Sequence, residues 1–167
     1  MSIPTHAAGI DAPRALRRAF SAFPTGVVGI GALVDEKPVG MAVNSFTSIS
    51  LEPALVAVSV ARTSSTWPIL AAAPQLGLSI LGSEHQALCR QLSSRSPDRF
   101  ADASWHATEG GAVLIENAAL WLECGVHSVL DGGDHEIILL NVLGAEFFPE
   151  VEPLVFHQSA FRGLQSQ

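Results

Sequence analysis

The chain has 167 residues, of which 48% are hydrophobic and only 15% are charged, and its formal net charge is −7. No apolar run reaches the roughly 18 residues that cross a bilayer, and the negative charge argues against the many phosphate contacts of nucleic-acid binding. We therefore expect neither a membrane nor a nucleic acid as partner. A charged fraction well below the about 25% of typical soluble domains favours self-association, most simply as a dimer.

The N-terminal sequence MSIPTHAAGI has neither the basic segment nor the apolar core of a signal peptide. We interpret residues 1–10 as a loose arm of one domain that spans residues 1–167. Cys89 and Cys124 match no metal-binding or redox spacing, so we expect two isolated buried thiols and no metal site. These features predict a cytoplasmic protein.

Residues 11–23 predict the first helix, because Asp11 can cap it and Pro13 occupies its first turn. Its apolar stripe consists of Leu16, Ala19, Phe20 and Phe23. The run GVVGIGALV at 26–34 predicts a strand, which residues 35–37 connect to a returning strand at 38–43. This pattern is typical of an antiparallel hairpin.

Three glycines in the first strand, Gly26, Gly29 and Gly31, superficially resemble a dinucleotide-binding turn. That fingerprint requires a strand, a tight turn and then a helix, whereas an acidic turn and a second strand follow here. Glycines inside a strand more often allow another part of the backbone to approach closely. We therefore exclude a Rossmann-type site.

The rest of the chain predicts mainly strands, interrupted by short helices. Strands are expected at 54–61, 75–81, 119–130, 134–147 and 153–156, and helices at 67–73 and 84–92. Many strands with hairpin-like links and few helices favour an antiparallel β-barrel.

The first polar cluster lies between two strands and contains no charged residue. Asn44, Ser45, Thr47, Ser48 and Ser50 offer amide and hydroxyl groups, and neither face of this segment is plainly apolar. One interpretation is a solvated connection. The other is an irregular or edge segment that lines a cavity for a neutral ligand rich in donors and acceptors, such as a flavin ring or a polyol.

Two further clusters are candidates for binding. Residues 62–66, RTSST, place an arginine and hydroxyls at a helix start, which indicates an anion site or, alternatively, an ordinary N-cap. Arg95 and Arg99 follow in a polar loop and either add cationic contacts or are simply solvated.

The turn at 132–135, GGDH, joins two long strands. Its His135 is either a functional hydrogen-bond donor or acceptor, or a structural histidine. No G-x-S-x-G elbow of a serine hydrolase is present.

Six segments occur in an order and spacing that resemble the flavin reductase family, whose members are FMN-binding split-barrel enzymes. They are FPTGV (23–27), GMAVNSFTSISLEP (40–53), RTSSTW (62–67), SPDRF (96–100), LECGVHSVLDGGDH (122–135) and PLVFHQSAFRGL (153–164). The resemblance implies a mainly β, antiparallel split barrel of Greek-key type with a few short flanking helices.

The resemblance also implies a set of site residues. The predicted flavin-binding residues are Thr25 near the ring, Asn44, Ser45, Phe46, Thr47 and Ser48 along the ring and ribityl chain, Ser64, Ser65 and Thr66 at the phosphate, and Arg99 with Phe100 at the phosphate or dinucleotide end. His135, next to Asp134, is predicted to align the nicotinamide beside the flavin ring.

The implied activity is that of an NAD(P)H:flavin oxidoreductase, in which NADH or NADPH gives a hydride to FMN or FAD. The implied assembly is a homodimer that supplies reduced flavin, by diffusion, to a separate flavin-dependent oxygenase. The main alternative is a non-catalytic flavin- or haem-binding split-barrel protein. An enzyme of the pyridoxamine phosphate oxidase type is disfavoured, because the sequence lacks that group's basic phosphate-binding strands.

Overall fold

The structure is a computed structural model that describes residues 12–164. The predicted arm at residues 1–10 and the predicted cap Asp11 lie outside the described residues. The helices are α1 (Ala12–Phe20), α2 (Trp67–Ala71) and α3 (Gln86–Leu92). The strands are β1 (Thr25–Gly26), β2 (Val28–Val34), β3 (Lys37–Val43), β4 (Thr47–Leu51), β5 (Ala54–Ala61), β6 (Leu76–Ile80), β7 (Trp105–Ala107), β8 (Val113–Ile115), β9 (Leu120–Gly132), β10 (His135–Phe147), β11 (Val155–His157) and β12 (Ala160–Arg162).

The main sheet has seven strands in the order β3-β2-β6-β9-β10-β5-β4, and every neighbouring pair is antiparallel. Two smaller sheets, β1-β11-β12 and β7-β8, accompany it. The predicted mainly β, antiparallel, barrel-like fold with a few short helices is confirmed. None of the helices in residues 12–164 is long and apolar enough to cross a membrane.

The predicted hairpin is formed by β2 and β3, whose register runs from Val34 opposite Lys37 to Val28 opposite Val43. Asp35 and Glu36 both have positive φ angles, 48° and 63°. Positive φ at both central residues is the backbone of a tight turn that matches strand twist. The turn therefore fixes the register that brings β3 to the candidate site.

The side chains of the main sheet divide between two cores. The barrel interior holds Ile30, Val58, Leu78, Leu122, Ile138 and Leu140. The second core, on the other side of β2 and β6, holds Val27, Leu81, Leu92, Phe100, Val113 and Ile115. Cys89 and Cys124 are buried and free, as predicted, and burial raises the pKa of Cys124 to about 12.

Glycines on the sheet face of the second core allow β8 to pack directly on the strands. A Cβ at Gly31 would lie 3.1 Å from the Val113 side chain, and one at Gly77 would overlap the Val113 backbone. The predicted close approach of another part of the chain is confirmed at Gly31, whereas nothing lies within 4 Å of a Cβ at Gly26, and the contact at Gly77 was not predicted. The β7–β8 hairpin itself was not predicted, because three-residue strands have no readable periodicity.

The first helix differs from its prediction. α1 ends at Phe20, and its expected apolar stripe is not buried: Phe20 is 70% exposed and Phe23 is 74% exposed. The helical spacing was correct, but spacing alone does not tell whether another part of the same chain covers the stripe.

Candidate active site

Two neighbouring cavities lie between β3 and the segment 86–99. The Asn44 cavity, of about 650 Å³, has Val27, Asn44, Cys89, Arg90, Phe156 and Phe161 among its lining residues. The Arg99 cavity, of about 640 Å³, is lined on its polar side by Gly40, Thr63, Ser65, Thr66, Arg95 and Arg99. Both cavities share β3 and the chain segment that contains α3, so they form two parts of one candidate site.

The Asn44 cavity combines apolar side chains with polar ones, among them Asn44, Gln86 and Arg90. β3 ends at Val43 and delivers exposed Asn44 to the rim, while the β11–β12 hairpin contributes Phe161. The guanidinium carbon of Arg90 lies 5.4 Å from the centroid of the Phe161 ring, a cation–π distance. Apolar walls with a small number of polar groups are typical of cofactor sites.

Thr25 supplies an unsatisfied polar group beside this cavity. Its Oγ1 is buried and has no hydrogen-bond partner among the described residues. Thr25 pairs with Phe156, and both Phe156 and Val27 line the Asn44 cavity. Because a buried hydroxyl without a partner costs roughly 1–3 kcal/mol, a ligand that hydrogen-bonds to it is favoured. The carbonyl and nitrogen groups along a flavin ring fit this requirement.

The other members of the 44–48 cluster have different surroundings. Ser45 Oγ donates to the Ser59 carbonyl at 2.9 Å and accepts the Ser59 N–H at 2.8 Å. Phe46 packs against the barrel core, and Thr47 and Ser48 lie exposed on the edge strand β4. The predicted edge segment is therefore confirmed, whereas Asn44 is the member of this cluster that lines the Asn44 cavity. Flavin binding by Ser45 to Ser48 stays a prediction.

The Arg99 cavity is organised by the docking of the SPDRF loop on β3. Arg99 Nη1 donates to Thr66 Oγ1 at 2.8 Å and to the Gly40 carbonyl at 3.2 Å. Phe100 packs beneath Gly40, where a Cβ would lie 2.8 Å from the ring. Thr66 is only 8% exposed, so the guanidinium is held at a fixed place in the cavity wall.

The predicted phosphate-binding hydroxyls have unequal roles. Ser64 Oγ accepts the N–H of Trp67, the first residue of α2, at 3.1 Å. Ser64 therefore stabilises the turn before α2, whereas Thr66, at the N-cap position, makes no capping hydrogen bond with its side chain. Ser65 and Thr66 line the Arg99 cavity with Thr63, which the sequence did not single out as a contact.

Residues 62–66 were interpreted as an anion site with Arg62 as its cation. This interpretation is wrong for Arg62, whose guanidinium is bound by groups of the β9–β10 turn. Its Nε donates to the Gly133 carbonyl at 2.9 Å, Nη2 contacts Asp131 at 2.8 Å and Nη1 contacts Glu136 at 3.2 Å. The hydrogen bond from Arg62 and that from the Gly133 N–H hold the pKa of Asp131 below its usual value. Arg62 therefore stabilises the turn between β9 and β10.

His135 lies at the start of β10, opposite Ala61 of β5, and lines neither the Asn44 cavity nor the Arg99 cavity. Its Nδ1 is 2.7 Å from Asp134 Oδ1, and this hydrogen bond lowers the pKa of the Asp134 carboxyl. Asp134 thus orients the imidazole. The role of both residues toward a nicotinamide stays a prediction.

Sequence reasoning missed much of the Asn44 cavity wall. Its lining includes five residues that were not predicted to bind: Gln86, Cys89, Arg90, Phe156 and Phe161. Arg90 and Phe161 come from distant segments, so no local spacing connects them. The segment PLVFHQSAFRGL at 153–164, which resembles the family and contains Phe156 and Phe161, was the signal that could have indicated this part of the wall.

Comparison with known proteins decides the assignment. The flavin reductase like domain matches residues 20–165 of this chain. The chain belongs to this family. A flavin reductase from Pseudomonas putida is 33% identical over 153 residues, covering 91% of this chain and 90% of that protein. The reductase subunit of a flavin-dependent monooxygenase from Mycobacterium tuberculosis is 32% identical over 157 residues, covering 93% and 84%.

A solved structure gives the same result. The NADH:FAD oxidoreductase of Streptomyces globisporus, in complex with NAD and FAD fragments, superposes with a TM-score of 0.86 at 37% identity, covering 91% of this chain and 92% of that one. The resemblance to flavin reductases is thereby confirmed. So are the predicted class, NAD(P)H:flavin oxidoreductase, and the use of flavin and nicotinamide nucleotides.

Proposed function

We propose that this flavin reductase binds its flavin along β3 and delivers the reduced flavin to a separate oxygenase. The observation that carries the proposal is the pair of adjoining cavities with different polarity. One has the neutral amide of Asn44 and an aromatic wall on which the guanidinium of Arg90 is stacked, and the other contains the fixed guanidinium of Arg99. FMN has the same division, with a neutral ring at one end and a phosphate at the other.

The spacing along β3 supports this orientation. Gly40 lines the Arg99 cavity and Asn44 lines the Asn44 cavity. Four residues at about 3.3 Å each separate them by about 13 Å, which suits a ring and a phosphate joined by an extended ribityl chain. The ring then lies near Asn44 and Thr25, and the phosphate lies near Arg99.

When flavin and nicotinamide are both bound, the reaction is hydride transfer from the nicotinamide to the flavin ring. The two nucleotides supply this chemistry themselves. The protein's part is positioning. Asn44 and Thr25 offer neutral hydrogen bonds to the ring edge, and Arg99 with Thr66 holds the phosphate. The walls around Phe156 and Phe161 exclude water from one side. His135, oriented by Asp134, remains the predicted contact for the nicotinamide.

A homodimer is part of this proposal. Apolar side chains are exposed along the edge strand β4 and the long β9–β10 ribbon: Ile49, Leu51, Val126, Val129, Leu130, Leu143 and Phe147. Apolar residues gathered in this way typically form an interface. A second copy of this chain would cover them and would agree with the low charged fraction of the sequence.

The partner oxygenase is inferred from the relatives. The Mycobacterium tuberculosis relative is a reductase subunit of a flavin-dependent monooxygenase. Because that relative is a separate reductase subunit, we infer that the reduced flavin diffuses between the two proteins. FMN and FAD are both candidate hydride acceptors, and NADH and NADPH are both candidate hydride donors.

The test is a steady-state assay with purified protein, NADH or NADPH, and free FMN or FAD, followed at the absorbance band of the reduced nicotinamide. We expect oxidation that depends on both the protein and the flavin. Heat-denatured protein is the control. Flavin binding without oxidation in any of the four combinations would support a non-catalytic flavin protein instead.

A further inference from the structure

We propose that the Arg99 cavity holds the ADP half of FAD and that Arg95 is the residue that makes FAD preferred over FMN. This inference rests on the proposed function and specifies which flavin the same site takes. It comes from the size of the cavity, its free cations and its apolar wall.

The Arg99 cavity is larger than one phosphate requires. Its volume of about 640 Å³ nearly equals the about 650 Å³ of the Asn44 cavity, which is proposed to hold a three-ring flavin. Sites of roughly 300–1,000 Å³ enclose whole drug-sized ligands. A monophosphate would therefore leave most of this cavity filled with water, whereas a nucleotide would occupy it.

The cavity also offers more positive charge than one phosphate needs. Arg99 uses Nη1 for its contacts with Thr66 and Gly40, and its Nε and Nη2 groups have no acceptor within residues 12–164. Arg95 lines the same cavity, is exposed, and has no hydrogen-bond or carboxylate partner in the described part of the chain. Arginine binds phosphate oxygens with two parallel N–H groups. Two such residues match a diphosphate.

No carboxylate from the described residues lines this cavity to neutralise the two arginines. The nearby Asp98 directs its Oδ1 to the N–H of Phe100, at 3.0 Å. The positive charge thus remains available to a ligand. Thr66 adds a hydroxyl that accepts from Arg99 and can donate its own hydrogen to a phosphate oxygen.

The remaining wall is apolar, which phosphate alone does not explain. Pro38, Val39, Ile69 and Pro97 line the cavity, and Ile69 is 44% exposed in the single chain. The face of an adenine ring would cover this apolar surface, while its diphosphate reaches the arginines. A cavity that combines two cations with an apolar wall therefore fits ADP better than a single phosphate.

The experiment measures dissociation constants of FMN, FAD and riboflavin by quenching of flavin or protein fluorescence, without any turnover. Wild-type protein, Arg95→Gln and the matched control Arg18→Gln are compared; Arg18 is an exposed arginine on α1. We expect the wild type to bind FAD more tightly than FMN by at least about tenfold, the lower end of the contribution of one hydrogen bond to a charged group. Arg95→Gln should reduce this preference by weakening FAD alone, and Arg18→Gln should change neither constant.

A second variant tests the apolar wall independently. Ile69→Gln replaces an exposed residue of α2 with a good helix former, so folding is retained. It should weaken FAD and leave FMN unchanged, and ADP should compete with FAD in the wild type. Equal FMN and FAD affinities, or an equal loss of both in Arg95→Gln, would overturn this inference while leaving the proposed function intact. Failure to bind any flavin would overturn the proposed function as well.

Discussion

Arg99 and Thr66 are joined by a 2.8 Å hydrogen bond from Nη1 to Oγ1, which connects the SPDRF loop to the segment before α2. The same Nη1 donates to the Gly40 carbonyl of β3. One guanidinium therefore ties together the three segments that line the Arg99 cavity, and it does so with part of its donors still free. Arg99 is also the proposed phosphate-binding residue, so its substitution tests the proposed site directly.

Arg99→Gln should weaken FMN binding selectively. A hydrogen bond to a charged group contributes about 1.5–3 kcal/mol, so the dissociation constant of FMN should rise by roughly 10- to 150-fold. Riboflavin, which lacks the phosphate, should bind the wild type and the variant with similar affinity. Fluorescence titration with both ligands makes this comparison, and an equal loss for both would place Arg99 in a purely structural role.

Gly40→Ala should destabilise the fold where β3 lines the Arg99 cavity. A Cβ there would overlap the Ile30 carbonyl and lie 2.8 Å from the Phe100 ring. Overpacking of this kind costs typically about 1–3 kcal/mol, measured by chemical denaturation. Gly26→Ala is the matched control, because nothing lies within 4 Å of its Cβ. If the two variants were equally stable, Phe100 would not be docked on Gly40 as described.

Ser45→Ala should destabilise the protein because it removes both hydrogen bonds to the backbone of Ser59. The Ser59 N–H and carbonyl would lose their partners at the edge of the barrel, at a cost of about 1–3 kcal/mol in the free energy of unfolding. Ser48→Ala, at an exposed position on β4, should change stability by less than about 0.5 kcal/mol. A reversed order of the two variants would contradict this role of Ser45.

Leu51→Asp should convert the proposed dimer to a monomer. Leu51 is 95% exposed in the single chain, so the substitution should leave the fold of each subunit intact. In an apolar interface, the buried carboxylate would be strongly unfavourable. Light scattering after size-exclusion chromatography reports the mass. Leu164→Asp, outside β4 and the β9–β10 ribbon, is the control, and an unchanged dimer in Leu51→Asp would remove this surface from the interface.

His85 should make stability depend on mildly acidic pH. Burial lowers the pKa of His85, against smaller opposing effects from Glu84 and the Glu116 backbone. Nδ1 accepts the Gly82 N–H at 3.1 Å, which requires the neutral ring. Because the unfolded chain binds the proton more readily, this contribution is complete above the ordinary histidine pKa of about 6.5 and is lost as the pH falls below it.

The variant His85→Asn keeps an acceptor for Gly82 but does not titrate. Chemical denaturation of the wild type should show lower stability as the pH falls below about 6.5. The variant should show a smaller loss over the same range. If both proteins lost the same stability, another group would be responsible for the pH dependence.

The sequence predicted those parts of the fold that depend on local chemistry. The strand at 54–61 was predicted with the observed bounds, and the β2–β3 hairpin was recognised from its turn. Arg62 was misinterpreted because its partners Asp131 and Glu136 lie far along the chain. Likewise, the contact between Ser45 and Ser59 depends on the register of β4 and β5, which shifts between Ser48 and Ser50. Residue types alone do not specify such a shift.

The polarity of the candidate site was easier to predict than its walls. A neutral cluster at 44–48 and an arginine at 99 were both recognisable, and the structure places Asn44 and Arg99 at two adjoining cavities. Arg90 and Phe161 were not predicted to bind, because α3 and β12 meet only in the folded chain.

Anaerobic reduction of flavin tests the central claim most directly. A trace of the purified protein is added to a large excess of FMN or FAD with NADH or NADPH, and the visible absorbance of the oxidised flavin is followed. We predict rapid bleaching of many equivalents of flavin per protein, and restoration of the absorbance when oxygen is admitted. Bleaching no faster than in the protein-free mixture, for every pair of flavin and nicotinamide, would contradict the assignment of flavin reductase activity to this chain.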